Sequence, residues 1–285
     1  MHFRLFLLAF ALLPLTLLGQ SDTLTNKQIR KNRAVYIKLG LGSGYSYFRD
    51  FATSPLNYGG APLNVSFAYL KADSLRETEI YINYYQGILV AETGESDGES
   101  LTLVFSGGYS RLYGLKSLSG NRWNVKVGGL ADASMHLRNN LYLGNNGSGA
   151  EMFLTLFASG KIAYDMTRTG TKYKKLWFIK YKLNPRKHDI SYRLNLAVIN
   201  STLRNGYAYN GQSYLVNDAS VLDNYVFYPI SGYRMSSCFD YTYFLNNSNA
   251  LQLSYVWDAY KTGGDLDKFE MAHHTLKFSL LFSLK

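Results

Sequence analysis

The chain has 285 residues, 47% of them hydrophobic and 18% charged, with 25 Tyr, 16 Phe, 25 Gly and a formal net charge of +10. That composition excludes a disordered chain, and a single cysteine, Cys238, excludes an intramolecular disulfide framework. A lone thiol of this kind reads as a small core residue.

The chain opens "MHFRLFLLAFALLPLTLLGQSDT", with Arg4 ahead of an apolar run from Leu5 to Leu18 that Pro14 interrupts. A membrane helix needs about 20 apolar residues, so residues 1–20 are expected to be a secretory signal peptide cleaved beside Gly19 or Gln20. No Cys stands near that site, so a lipid anchor is not expected. Residues 21–33 read as a short periplasmic lead-in, and 34–285 show no break in composition. The basic balance suits anionic lipid headgroups or solutes. Nucleic acid is not an expected partner of an exported chain.

From residue 34 onward, period-two alternation replaces helical periodicity. Val35, Ile37, Leu39 and Leu41 alternate with Tyr36, Lys38, Gly40 and Gly42. The pattern repeats through Leu63–Tyr69, Ile80–Tyr84 and Leu101–Phe105. It is clearest over 123–138, where Trp123, Val125 and Val127 open one face and Asn124, Lys126 and Gly128 the other. It returns in 152–164, 175–183, 190–199, 233–244, 251–260 and 274–284. In the last run Leu276, Phe278, Leu280, Phe282 and Leu284 oppose Thr275, Lys277, Ser279 and Ser283. Turn-formers such as "ETGESDGES", "NNGSG", "LNNSN" and "KTGGD" separate the runs.

The expected fold is all-β: a transmembrane antiparallel up-and-down β-barrel with its apolar face outward. The runs are longer than the usual about 5–6 residues of soluble strands and suit tilted strands crossing a bilayer, which need about 9–11. Aromatics crowd the strand ends, as at Tyr45, Tyr47, Trp123, Trp177 and Trp257, in the manner of interfacial girdles. The polar faces mix small residues with charges, as a narrow lumen requires. Eleven runs are clear, and bacterial barrels of this kind have even strand numbers. Twelve strands are therefore expected (about 10–14 admissible), the missing one within 200–231.

The alternating ending resembles the C-terminal assembly signal of outer-membrane barrels, though it closes on Leu284-Lys285 and not on an aromatic. With "SNALQLSYVWDAYKTGG", the Tyr- and Asn-rich stretch 34–285 resembles the outer-membrane barrels of the Bacteroidetes type. That resemblance implies an outer-membrane location in the cell envelope, contact with outer-membrane lipid, and insertion by the barrel assembly machinery.

The alternation turns Lys38, Lys126, Asp132, Arg138, Lys161, Lys180, Lys182, Arg193, Arg234, Asp240, Asp258 and Lys277 inward, with Glu77, Glu79 and Glu151. Basic residues outnumber acids in this set, so a porin-like lumen would favour a small anionic solute. About 12 strands leave a narrow barrel, which paired charges can plug.

In "ADASMHLRNN", Asp132, Ser134 and His136 share one face at spacings of about 7 Å, within reach of a Ser–His hydrogen bond oriented by a carboxylate. Lipid A deacylases and outer-membrane phospholipases are similar in kind, but in the order His-x-Ser and at the lipid-facing side. His273 and His274 point to opposite faces, and no cluster has metal-ligand spacing, so neither metal nor cofactor is expected. Three functions are open: a non-enzymatic narrow channel or binding barrel, a lipid hydrolase using Ser134 and His136, or a structural subunit of a larger outer-membrane assembly.

Overall fold

A computed structural model describes residues 33–91, 98–140, 143, 147–205, 225–262, 264 and 268–284. The expected signal peptide and the lead-in up to residue 32 lie outside the described residues. The strands, in chain order, are β1 (Ala34–Asp50), β2 (Ser54–Gly60), β3 (Leu63–Ala72), β4 (Arg76–Ala91), β5 (Gly98–Gly114), β6 (Trp123–Asn139) and β7 (Ser148–Asp165). They continue with β8 (Lys172–Leu176), β9 (Ile179–Leu183), β10 (His188–Asn205), β11 (Tyr225–Tyr228), β12 (Tyr233–Phe244), β13 (Ala250–Thr262) and β14 (Phe269–Ser283).

Twelve of these segments form one antiparallel sheet, and pairing of β7 with β10 and of β14 with β1 closes it into a barrel of ten wall positions. The expectation of twelve wall strands is corrected in two ways. First, two positions are each filled by a pair of segments. β2 and β3 lie in one continuous register on β1, with Tyr58 opposite Phe48 and Val65 opposite Leu41. The wall is broken between them at Pro62, which has no N–H for the ladder. β11 and β12 likewise share the edge of β10, Tyr228 opposite Thr202 and Met235 opposite Leu196. There the chain kinks at Gly232, whose φ of 68° and Cβ position 1.8 Å from the Lys261 carbonyl oxygen exclude a side chain. Among the described residues, the strand expected in 200–231 is the short β11; residues 206–224 lie outside the described ones.

Second, the run 175–183 is not a wall strand. β8 and β9 pair only with each other, Leu176 opposite Ile179, and the chain reverses at Trp177 with φ of 56°. The resulting hairpin stands at the end of the barrel that carries the start of β1 and the end of β14.

The two faces of the wall separate as the alternation requires. On β14, Leu276 is 56% and Phe278 50% exposed, while Thr275 and Ser279 are 3% and 0% exposed on the inner side. Register then aligns one outward row across the wall: Leu253, Phe278, Leu41, Val65, Tyr84, Phe105, Met135 and Met152, on β13, β14, β1, β3, β4, β5, β6 and β7. Adjacent strands set such neighbours about 4.5–5.5 Å apart, so the row is a continuous apolar belt. A water-soluble barrel would hide it inside. Near the termini-bearing end Trp123 packs against Tyr164, ring centroids 4.5 Å apart and planes tilted by 45°, an aromatic edge to the belt. Among the described residues no helix is long and apolar enough to cross a membrane.

Candidate functional site

The lumen is filled from the wall inward, in three layers. Farthest from the chain termini lies an apolar plug of Phe48, Tyr58, Leu89, Val104, Phe153, Tyr260, Phe269 and Met271, all buried. Phe48 and Tyr58 stack 4.8 Å apart, and Phe153 stacks on Phe269 at 6.0 Å. Above and against it sits a quartet of buried charges. Asp50 accepts from Arg138 and Arg204, each at 2.7 Å, and Arg138 also donates to Glu151. Both guanidiniums lie over the Phe269 ring, Arg138 at 4.5 Å and Arg204 at 5.6 Å, so the apolar and ionic parts form one cross-braced unit.

The middle layer centres on Arg234. It donates to Asp132 at 2.5 Å and to Asp258 at 2.8 Å, which joins β6, β12 and β13 across the lumen. Asp132 also accepts from the Tyr81 hydroxyl at 2.5 Å.

Toward the termini, Glu77 is held between Lys126 at 2.9 Å and Lys161 at 2.6 Å, and Arg193 reaches Glu79 at 3.1 Å. A chamber of about 160 Å³ opens here, with Lys38, Lys277, Arg193, Asp240, Gln252 and His273 among its lining residues. Lys38 and Lys277 form no ion pair among the described residues. Arg193 Nη2 and His273 Nε2 are buried with no hydrogen-bond partner among the described residues. Asp240 is occupied by Ser254, which donates at 2.6 Å, and by the Cys238 thiol at 3.3 Å.

The inward set read from the sequence divides. Lys38, Asp132, Lys161, Arg193, Arg234, Asp240, Asp258 and Lys277 line the chamber, and Lys126 and Arg138 sit in lumen ion pairs. Lys180 and Lys182 belong to β9 and so to the separate hairpin, not to the wall. Three lumen charges were not in the set read from the sequence: Asp50 and Arg204 in the upper quartet, and Asp189, on the inner face of β10 opposite Thr242. Removing two lysines and adding two acids and one arginine leaves no basic excess.

Asp132, Ser134 and His136 are all buried on the inner face, but they do not assemble as a catalytic unit. The His136 ring meets the Tyr260 hydroxyl at 2.9 Å and packs edge-on against Phe153 at 5.0 Å. Ser134 takes a 3.4 Å contact from Arg234, and Asp132 is committed to Arg234 and Tyr81. No hydrogen bond joins Ser134 to His136, and both side chains face the interior, away from the outward apolar row. His273 faces inward, bonded to Ser46 at 2.6 Å, while His274 faces outward to the Tyr255 hydroxyl at 2.7 Å. Among the described residues no group of His, Cys, Asp and Glu could hold a metal ion.

A closed antiparallel wall, apolar outside and charged inside, defines the class: a β-barrel of the transmembrane type. The chain belongs to the family described as protein of unknown function (DUF3316), whose model matches residues 5–184. No curated protein matches it. Solved structures with a similar fold include the toluene transporter TodX of Pseudomonas putida, at 11% identity over 92% of this chain and 94% of that one, TM-score 0.31. The toluene transporter TbuX of Ralstonia pickettii is 10% identical over 89% of this chain and 90% of that one, TM-score 0.33. The translocator domain of the autotransporter NalP from Neisseria meningitidis is 6% identical over 90% and 92%, TM-score 0.31. No functional reading follows from likenesses at this level.

Proposed function

We propose that the protein is an integral outer-membrane barrel that binds a small anionic solute in its lumen and is closed to free conduction. The observation that carries this reading is the chamber below the plug. Two lysines without ion pairs among the described residues, Lys38 and Lys277, share it with the Arg193 Nη2 donor and the His273 Nε2 atom, both left without a partner there. Buried donors without acceptors are costly, and a bound carboxylate or phosphate would satisfy several at once. Register places Gly40 beside Ser66 and Ser279, and Lys277 leans over it, its Cδ 3.1 Å from where a Cβ would stand. Those hydroxyls and the Lys277 stem fill the space beside the glycine, so an anion would sit in the open chamber and not at Gly40. The volume of about 160 Å³ suits a solute of a few heavy atoms. Above it, the apolar plug and its ion-pair quartet oppose passage to the far end.

Calorimetric titration of the purified barrel in detergent with inorganic phosphate, and separately with succinate, tests the binding. Saturable uptake of at least one, lost in the Lys38→Met/Lys277→Met variant, is expected. No uptake of either, or uptake indifferent to that variant, would overturn the reading. Planar-bilayer recording tests the closure: wild type stays silent, whereas a Phe153→Ala/Phe269→Ala variant conducts.

A further inference from the structure

We infer that the β8–β9 hairpin is a docking element for the anionic phospholipid headgroups bordering the termini-bearing end of the barrel. The inference rests on the membrane reading of the wall. Eight of the residues 166–187 are Lys or Arg and none is Asp or Glu, so this segment carries +8 of a chain whose formal net charge is +10. The basicity of the protein is therefore not spread over its surface or lumen; it is concentrated in one projection.

The tip of that projection is aromatic. Trp177 and Phe178 are 85% and 83% exposed, and Tyr173 is exposed beside Lys172 and Lys174. Large apolar side chains this open are costly in water, and a hairpin needing only to reverse the chain would place Gly or Asn at the positive-φ position that Trp177 occupies. Trp and Phe among lysines is the composition of segments that lie in the headgroup layer, the rings below the ammonium groups.

Position selects lipid over a soluble polyanion. The hairpin leaves the wall at Asp165, one residue past Tyr164, whose ring packs against Trp123 at the lower edge of the apolar belt. It thus starts at headgroup level, and five-residue strands extend about 16 Å from there, enough to lie along the leaflet. Its base is fixed: Arg186 bonds Asn246, and the Lys187 ammonium sits 4.4 Å from the Phe244 ring centre. The cationic arm is held at the rim while its tip is free.

The test uses the full chain with Trp123→Phe and Trp257→Phe, leaving Trp177 as the single indole of the three. It is inserted in nanodiscs of phosphatidylcholine, with or without phosphatidylglycerol, and insertion is verified by heat-modifiable gel migration. The inference expects blue-shifted Trp177 emission and quenching by brominated phosphatidylglycerol. Both should be lost in high salt and in a Lys172→Gln/Lys174→Gln/Lys175→Gln variant that still inserts. Water-exposed emission without quenching in an inserted barrel would overturn it, as would equal quenching by brominated phosphatidylcholine in discs that lack the anionic lipid. Failure of the barrel to insert at all would sink the membrane reading and this inference with it.

Discussion

Tyr81 and Asp132 are joined across an intervening strand: the Tyr81 ring lies over Gly108, and its hydroxyl donates to Asp132 at 2.5 Å. Register puts Tyr81, Gly108 and Asp132 in one row on β4, β5 and β6. A Cβ on Gly108 would stand 2.5 Å from the Tyr81 ring, so the glycine is there because the tyrosine crosses it. The contact then feeds the Arg234 layer, because the same carboxylate holds that guanidinium.

Gly108→Ala is expected to push the ring off and cost about 1.5–3 kcal/mol, the worth of a hydrogen bond to a charged group. Thermal unfolding of the detergent-solubilised barrel measures it. In a Tyr81→Ala background the same substitution should cost little, since nothing then crosses the glycine.

Asp50→Asn removes the charge that two buried guanidiniums share. Breaking a buried pair from one side costs about 3–5 kcal/mol. Lys261→Gln breaks a pair of similar length, 2.5 Å, whose lysine is 62% exposed, and should cost under about 1 kcal/mol. Denaturant titration of both variants separates a structural lumen quartet from a surface pair; equal costs would refute the cross-bracing role.

On the outer face, Phe278→Arg falls within the apolar belt and should lower folding stability in vesicles by about 2–4 kcal/mol. Leu284→Arg, past the end of β14, should cost about 0–1 kcal/mol. A depth-independent cost would argue against a bilayer around the wall.

Ser134 is expected to have no catalytic part, because His136 is engaged with Tyr260 and not with the serine. Mass spectra of phospholipid and lipid A incubated with wild type and with Ser134→Ala should be identical. A product lost in both Ser134→Ala and His136→Ala would restore the hydrolase alternative.

Most of the wall was legible because a two-residue period survives in nearly every strand, and the outward row ending at Leu284 could be read directly. Four features were not, each for a physical reason. The run 175–183 alternates like a wall strand, yet folds back at Trp177 and Phe178 without the Gly or Asn that marks a tight turn. Arg204 was hidden by the bulge between Ala197 and Ile199, which moves the inward face from Arg193 and Asn195 to Asn200, Thr202 and Arg204. Phe153 stands next to Met152, both apolar, so composition could not tell plug from lipid face; only the register does. The lumen ion pairs needed cross-barrel distances that no single strand encodes.

The central claim concerns the two faces of the last strand. Nitroxide labels at Cys residues introduced one at a time at 276 to 280, in a Cys238→Ser background in bilayers, report it directly. The account predicts that positions 276, 278 and 280 collide freely with dissolved oxygen and little with a water-soluble nickel chelate, while 277 and 279 lack that oxygen signal. Labels at the even positions that are immobile and reached by neither reagent would mean a protein core where lipid is claimed, and would contradict it.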